Sequence, residues 1–254
     1  MSLPPISEAE ARRLASGGYG QTLLRLAGSY VVPIAWPKRV NHEGVHLTNG
    51  TAFFVQTPRA LFGVTAAHVV NKYIADSSRD RSIVCGLLDS DTPLDLPSDL
   101  IAVGRNVDIA TFRVHESTIA KLHKQPISVW PPRIPQEGKG VFYAGFPGDT
   151  RIRKNVREFE FGLCSGAGLA DDVQAGRIVT SIDRPNLVDT LGLGLPPENF
   201  DFGGMSGGPL LMLIETEIVS WKLAGVIYQG STLGGGILQA AHATCVNEDG
   251  TISG

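Results

Sequence analysis

Gly203-Gly204-Met205-Ser206-Gly207-Gly208-Pro209-Leu210 packs glycines on both sides of one serine and then enters an apolar segment. Glycine adopts dihedrals that other residues avoid, so the run reads as a tight turn presenting Ser206 and feeding a strand, Pro209–Ile214. Working outward, the chain is a succession of short apolar or alternating segments bounded by Gly, Pro, Asn or Asp. Leu23–Ile34, Thr51–Thr57, Leu61–Ala66, Arg81–Leu88, Leu100–Gly104 and Ile109–Val114 precede a charged stretch, His115–Gln125, that reads as a short helix or linker. Ile127–Trp130, Lys139–Phe146, Arg157–Cys164, Arg177–Ile182, Pro209–Ile214 and Lys222–Gln229 follow it. Many short strands without regular intervening helices predict an all-β architecture of antiparallel barrels or sandwiches. Short helices are also expected at the two ends. Ser7 with Glu10 reads as a capping box opening a helix through about Ala15, stopped by Gly17, Gly18 and Gly20. Ile237, Leu238, Ala241 and Cys245 suit a terminal helix over Ile237–Cys245.

Composition agrees. Thirty glycines and sixteen prolines in 254 residues exceed the usual ~12% for the two together, as a turn-rich β protein requires. With 43% hydrophobic and 19% charged residues, neither a disordered chain nor a multi-span membrane protein fits. A net charge of -3 offers no basic face, so nucleic acid is not an expected partner. Cys85, Cys164 and Cys245 are odd in number and far apart, which argues against a disulfide framework. Arg12, Arg13 and Arg25 interrupt any signal-peptide core, and no run approaches a membrane span. A soluble, cytoplasmic protein is the expectation.

Two further segments carry chemistry: Val64-Thr65-Ala66-Ala67-His68-Val69-Val70 at a strand end, and Asn106-Val107-Asp108-Ile109-Ala110 entering a strand. A serine hydroxyl is a weak nucleophile unless a base lies within hydrogen-bond reach and a third group orients that base. Taken with the turn around Ser206, the three segments resemble, in this order, those of the trypsin-like (chymotrypsin-fold) serine peptidases, and the resemblance extends from about Leu23 to Cys245. It implies two six-stranded antiparallel β-barrels with the active site in the cleft between them. Residues 20–115 would form the first barrel, 116–125 a linker, 126–236 the second barrel and 237–246 the terminal helix, all within one peptidase domain.

It also implies roles. His68 takes the Ser206 proton, Asp108 orients His68, and the N–H groups of Gly204 and Ser206 form the oxyanion hole. Asp95 and Asp99 remain alternatives to Asp108. Phe200 falls at the base of the specificity pocket, beside Asp201, although packing beneath the loop explains Phe200 equally well. Tyr228-Gln229-Gly230 resembles the strand that pairs with an extended substrate. A peptide or protein substrate with an apolar or small residue before the scissile bond, rather than Arg or Lys, is expected. No metal and no cofactor is required.

Departures from the family pattern are informative. Met205 stands where secreted members carry an aspartate that pairs with a freed amino terminus, so activation by amino-terminal processing is not expected. No cysteine lies between Gly50 and Tyr73, where those members have a disulfide. Ala144-Gly145-Phe146-Pro147-Gly148 matches a strand and turn of bacterial members. With so little sequence after Cys245, no added binding module is expected, and specificity is expected to come from this domain or from an unidentified regulatory protein.

Other readings fit less well. Gly204-Met205-Ser206-Gly207-Gly208 also matches the nucleophile elbow of α/β-hydrolases, but His242 precedes Asp249, the wrong order. His42-Glu43-Gly44-Val45-His46 matches a zinc-peptidase signature that needs a helix, whereas Pro37, Gly44 and Asn49-Gly50 predict a loop between strands. Asn49-Gly50-Thr51 is a glycosylation sequon without consequence unless the chain is secreted. The remaining rival is a latent or weakly active protease-fold protein serving as a peptide-binding or regulatory module.

Overall fold

The run Ala52-Phe53-Phe54-Val55 has no polar alternation because both faces of its strand are covered. Ala52 and Phe54 point into one core, and Phe53 and Val55 into another. In the computed structural model, which describes residues 8–40, 44–87, 93–155, 158–182, 184–214, 219–231 and 236–253, that pattern organises the whole molecule. One antiparallel sheet holds β1 (Val31–Val40), β2 (Gly44–Gln56), β3 (Leu61–Thr65), β4 (Cys85–Leu87), β5 (Pro93–Leu94), β6 (Leu100–Val103) and β7 (Ala110–Arg113). Its order is β5-β4-β1-β2-β3-β7-β6. A hairpin, β9 (Arg151–Arg153) with β10 (Phe159–Phe161), stands apart. The other large sheet holds β8 (Gly140–Gly145), β11 (Cys164–Leu169), β12 (Asp172–Gln174), β13 (Arg177–Ser181), β14 (Pro209–Ile214), β15 (Ser220–Ser231) and β16 (Ile237–His242). Its order is β11-β8-β14-β15-β16-β13-β12. The all-β expectation holds, with seven strands rather than six in each curled sheet.

Each sheet encloses a core, and a further core fills the seam between them. Val32, Ile34, Trp36, Phe54 and Phe112 fill the first sheet. Val141, Leu210, Ala224, Ile227 and Leu238 fill the second. The seam takes Val31, Phe53 and Val55 from one side and Phe142, Leu211 and Val226 from the other. The strand period of two therefore decides which residues reach across.

Several expectations need correction. Ile237–Cys245 is not a terminal helix: it is strand β16 followed by one 3-10 turn, Ala243–Cys245. Leu238 and Ala240 face the second core while Ala241 faces the seam, so burial on both faces imitates a helical spacing. At the other end, helix α1 (Glu8–Ser16) is followed by a second helix, α2 (Gly18–Tyr30); Ser7 lies outside the described residues. The glycines end α1 but do not prevent α2, whose buried Gly20, Leu23, Leu24, Ala27 and Gly28 make one helical stripe. The segment expected as a strand from Leu23 is thus helix up to Tyr30.

A helix missed in the sequence, α3 (Ala67–Arg79), follows β3 and buries Val69, Val70, Tyr73 and Asp76. Short helices α4 (Leu96–Asp99) and α5 (Glu116–Lys121) come later, the latter within the expected helix or linker His115–Gln125. Ile127–Trp130 forms no strand; Ile127 alone bridges to Val55. Arg157–Cys164 divides between β10 and β11, and Arg157 itself lies outside the described residues. Leu88, expected at the end of a strand, lies outside them too. Val40 pairs with Gly44, so the zinc-signature segment enters strand β2 at Gly44 rather than a helix; His42 and Glu43 lie outside the described residues. No helix among the described residues is long and apolar enough to cross a membrane.

Candidate active site

The backbone N–H of His68, in the first turn of α3, needs a partner from outside its own helix, because a helix leaves its first N–H groups unsatisfied. Ala66, at the N-cap, has no capping side chain. Asp108 supplies the missing acceptor from the loop between β6 and β7. Its Oδ1 accepts the His68 backbone N–H at 2.8 Å, and its Oδ2 pairs with His68 Nδ1 at 2.6 Å. One carboxylate thus caps the helix and orients the ring that the helix carries. Burial pushes the Asp108 carboxyl upward, but the His68 ring bond, together with the backbone N–H bonds of His68 and Ala67, outweighs burial and holds it below the usual carboxylate range. The His68 side chain is 47% exposed and open to a substrate. Among the described residues no hydrogen bond or ion pair joins His68 to Asp95 or Asp99, the alternatives; the Asp95 carbonyl accepts the Asp99 N–H.

Ser206 lies in the turn before β14. Its carbonyl accepts the Thr51 N–H of β2 at 2.8 Å. A Cβ on Gly207 would lie 1.9 Å from Thr51 O and 3.0 Å from the nitrogen of Ala66. The serine turn therefore lies directly on the segment that leads into His68. Gly207, at φ +94°, admits this approach only because it has no side chain. The Ser206 hydroxyl donates to the Tyr228 carbonyl at 3.1 Å. Among the described residues no hydrogen bond joins it to His68.

The turn's backbone bonds show a pattern. Gly203 N–H donates to the Asp201 carboxylate and Gly203 O accepts from Gly148 N–H. Gly204 O accepts from the Thr51 hydroxyl, and Met205 N–H donates to Phe202 O. Met205 O accepts from Gly208 N–H, and Gly207 N–H donates to Ile227 O. Among the described residues the N–H groups of Gly204 and Ser206 have no partner. A trans peptide directs its N–H opposite to its C=O. Gly203 O is held by Gly148 N–H and Met205 O by Gly208 N–H, so the Gly204 and Ser206 N–H groups each point away from a held carbonyl. That is the arrangement an oxyanion needs.

The remaining predicted residues fall around this centre. Phe200 is 6% exposed and stacks edge-on against Phe202 at 4.9 Å between ring centroids, inside the second core, as the packing alternative expects. The Asp201 carboxylate faces the Gly203 N–H, and the Asp201 N–H donates to the Asp149 carboxylate at 2.7 Å. Tyr228 sits at an irregularity between Ile227 and Gln229 in the β15–β16 pairing. Its hydroxyl donates to Gln239 Oε1 at 2.8 Å. Burial raises the Tyr228 phenol; the nearby Asp108 carboxylate adds to this and Arg177 opposes it. Pairing of β15 with β14 ends at Val226, so Tyr228, Gln229 and Gly230 have a free edge on that side among the described residues. A Cβ on Gly230 would lie 2.5 Å from the Cβ of Phe202 and 3.0 Å from Leu238.

Sequence reasoning missed the supports from β2. Asn49 and Thr51 of β2 entered the sequence reading only as a glycosylation sequon, and Arg151 of β9, which bonds Asn49, gave no motif. Their one signal was parity: Asn49 and Thr51 share the strand face of Phe53 and Val55, which points into the seam. A cavity of about 300 Å³ opens beside the pair, lined by His68, Asn71, Arg105, Asn106 and Asp108. A larger one, about 400 Å³, lies at the β9–β10 hairpin away from the triad. Among the described residues no group of three or more metal-ligating side chains converges.

No family model and no curated protein matches the sequence. The structure is similar to that of a thermostable serine protease, AL20, from an extremophilic microorganism, at 13% identity and TM-score 0.46, covering 85% of this chain and 92% of that one. It is similar to the Rv3671c protease of M. tuberculosis in its active form, at 16% identity and TM-score 0.46, covering 91% and 82%. It is also similar to the Tobacco Etch Virus protease, at 12% identity and TM-score 0.44, covering 84% and 73%.

Proposed function

We infer that the protein is a serine endopeptidase that hydrolyses peptide bonds through His68, Asp108 and Ser206 by way of an acyl-enzyme. The observation that carries this reading is the conjunction at one place of an Asp-oriented histidine, a serine and two unpartnered N–H groups in the serine's own turn. Rotation about the Ser206 side-chain bond exchanges the Tyr228 carbonyl for the His68 ring. His68 then takes the hydroxyl proton as the oxygen attacks the substrate carbonyl. The developing oxyanion is received by the N–H groups of Gly204 and Ser206, each worth ~2.7–4 kcal/mol in such sites. His68 returns the proton to the leaving amine, and water releases the acyl group by the reverse sequence. Asp108 remains ionised throughout, consistent with its lowered carboxyl.

An extended substrate adds to the free edge at Tyr228–Gly230. Phe202 and Leu238 close the space beneath Gly230, and the Asp201 carboxylate is engaged by the turn. Both features favour a small or apolar residue before the scissile bond and disfavour Arg or Lys.

A second reading, a latent protease-fold protein, is favoured by one observation: the Ser206 hydroxyl rests on Tyr228. A fluorophosphonate probe decides. An active peptidase labels, hydrolyses fluorescein-labelled casein, and loses both properties in Ser206→Ala. A latent protein labels slowly and leaves casein intact.

A further inference from the structure

We propose that Thr51 is a positioning residue: its buried hydroxyl clamps the turn that leaves the Gly204 and Ser206 N–H groups free. The proposal rests on the peptidase reading above. Thr51 is 0% exposed and shares the seam-facing side of β2 with Phe53 and Val55. Its hydroxyl donates to Gly204 O at 2.8 Å and accepts the Phe146 N–H at 3.0 Å. A hydroxyl both donates and accepts, which an apolar isostere cannot do.

The peptide held in this way is the one that matters. The Gly204–Met205 unit lies between the two units whose N–H groups are free. Thr51 fixes its carbonyl end, and Phe202 O fixes its N–H end. Gly204 sits at φ +101° beside another glycine, so the local chain offers little torsional resistance to a flip. The restraint has to come from outside the turn.

The same strand face adds a second hold. Asn49 Nδ2 donates to Phe146 O at 2.8 Å, while Arg151 donates to Asn49 Oδ1 at 3.0 Å and fixes the amide's orientation. Phe146 is therefore gripped at its N–H by Thr51 and at its C=O by Asn49. Two residues on, Gly148 N–H holds Gly203 O. The strand thus reaches the oxyanion turn twice, once directly through Thr51 and once through Phe146–Gly148.

The test compares Thr51→Val, Thr51→Ser and Thr57→Val with wild type. Thr57 is a control of matched kind, a buried hydroxyl bonded to Glu248 O far from the turn. Readouts are kcat and KM for fluorescein-labelled casein, the second-order rate of fluorophosphonate labelling, and the urea midpoint. Losing an oxyanion donor costs ~10²–10³ in kcat, and loosening both donors without deleting them should cost less. Thr51→Val is expected to lower kcat and the labelling rate about 10–100-fold, with KM within about twofold. Thr51→Ser should restore both rates to within about threefold. Thr57→Val should lower the urea midpoint comparably while keeping both rates. A Thr51→Val protein that turns over within threefold of wild type, or a Thr57→Val protein that loses as much, overturns the clamp. A wild-type chain inert to both casein and the probe removes the peptidase reading, and this proposal with it; that outcome is read on wild type before any variant is compared.

Discussion

Gly207→Ala separates the cost of an unusual backbone angle from the cost of breaking the contact between the two halves. Gly207 has φ +94°, and an added Cβ would lie 1.9 Å from Thr51 O and 2.3 Å from the Thr65 hydroxyl. Gly176, in the turn between β12 and β13, has φ +90° and nothing within 4 Å. Alanine at Gly176 therefore carries the angular cost alone, roughly 1–2 kcal/mol. Alanine at Gly207 carries that cost and must also move the turn by about 1 Å to relieve the overlap. The move loosens Thr51 N–H to Ser206 O and Gly207 N–H to Ile227 O, each worth about 0.5–1.5 kcal/mol. The total is about 2–5 kcal/mol. At ~2–4 °C per kcal/mol for a chain of this size, Gly176→Ala should melt ~2–8 °C below wild type and Gly207→Ala ~4–20 °C below. Activity should divide the same way: Gly176→Ala unchanged, Gly207→Ala down on the order of 10²-fold, because the nucleophile has shifted by about an ångström. Matched melting temperatures for the two variants would refute the reasoning, since the angle is shared and only Gly207 is buried against Thr51, Thr65 and Ala66.

Three shorter expectations follow. Asp108→Asn should cut kcat on the order of 10⁴-fold with the fold intact, because an amide offers His68 the wrong hydrogen-bond pattern; circular dichroism checks the fold and casein hydrolysis the rate. Asp76, 4% exposed, accepts from Trp36 Nε1 at 3.1 Å and from Lys38 at 2.8 Å. Burial pushes its carboxyl up, but Lys38 and Trp36 together hold it below the ordinary value. Its contribution is therefore complete above the unfolded value of ~3.9 and disappears as pH falls through the lower folded one. Urea titrations from pH 6 to pH 2 should show Asp76→Asn less stable than wild type at the top of that range and the gap closing at the bottom; a gap that widens contradicts the sign. Burial pushes the Cys85 thiol to about 12 and the Cys164 thiol to about 11, so iodoacetamide at pH 8 should alkylate them only as urea unfolds the chain. Alkylation of Cys85 in the native protein, located by peptide mass spectrometry apart from the partly buried Cys164 and Cys245, would contradict its burial.

The pairing of His68 with Asp108 was legible because each sits in a short local pattern, Thr65-Ala66-Ala67-His68 and Asp108-Ile109-Ala110, and Ser206 stood out as a candidate through the glycines about it. Strand content was legible for the same local reason, through apolar runs between turn residues. The failures share a cause. At Tyr30–Val31 a helix passes into a strand without Gly or Pro to mark the change, so α2 reads as the front of β1. In β16 burial alternates through Ala240 and is then continuous through Ala241 and His242, so the short alternation is lost before it can contradict a helix. The role of Thr51 was illegible in principle from local pattern. It depends on which way β2 faces a second sheet and on bonds to Phe146 and Gly204, 95 and 153 residues away.

The hydroxyl of Ser206 bears on how substrate and nucleophile are coupled. It now donates to Tyr228 O at 3.1 Å, and Tyr228 lies on the free edge where an extended peptide would pair. If an extended peptide pairs with this edge as proposed, the N–H of the residue whose carbonyl is attacked would donate to Tyr228 O. The two donors then compete for one carbonyl, and a hydroxyl displaced from it turns to His68. Binding and activation would be one event. A substrate N-methylated at that residue can fill the edge but cannot donate. If the N–H served for affinity alone, its loss of about 0.5–1.5 kcal/mol would appear in KM, as a rise of roughly 2–12-fold. If it also frees the nucleophile, kcat must fall as well, because more of the bound complexes keep Ser206 on Tyr228. Paired measurements on a peptide and its N-methyl analogue decide this. A loss confined to KM would mean that Ser206 reaches His68 without help, and the coupling argued from Tyr228 would be wrong.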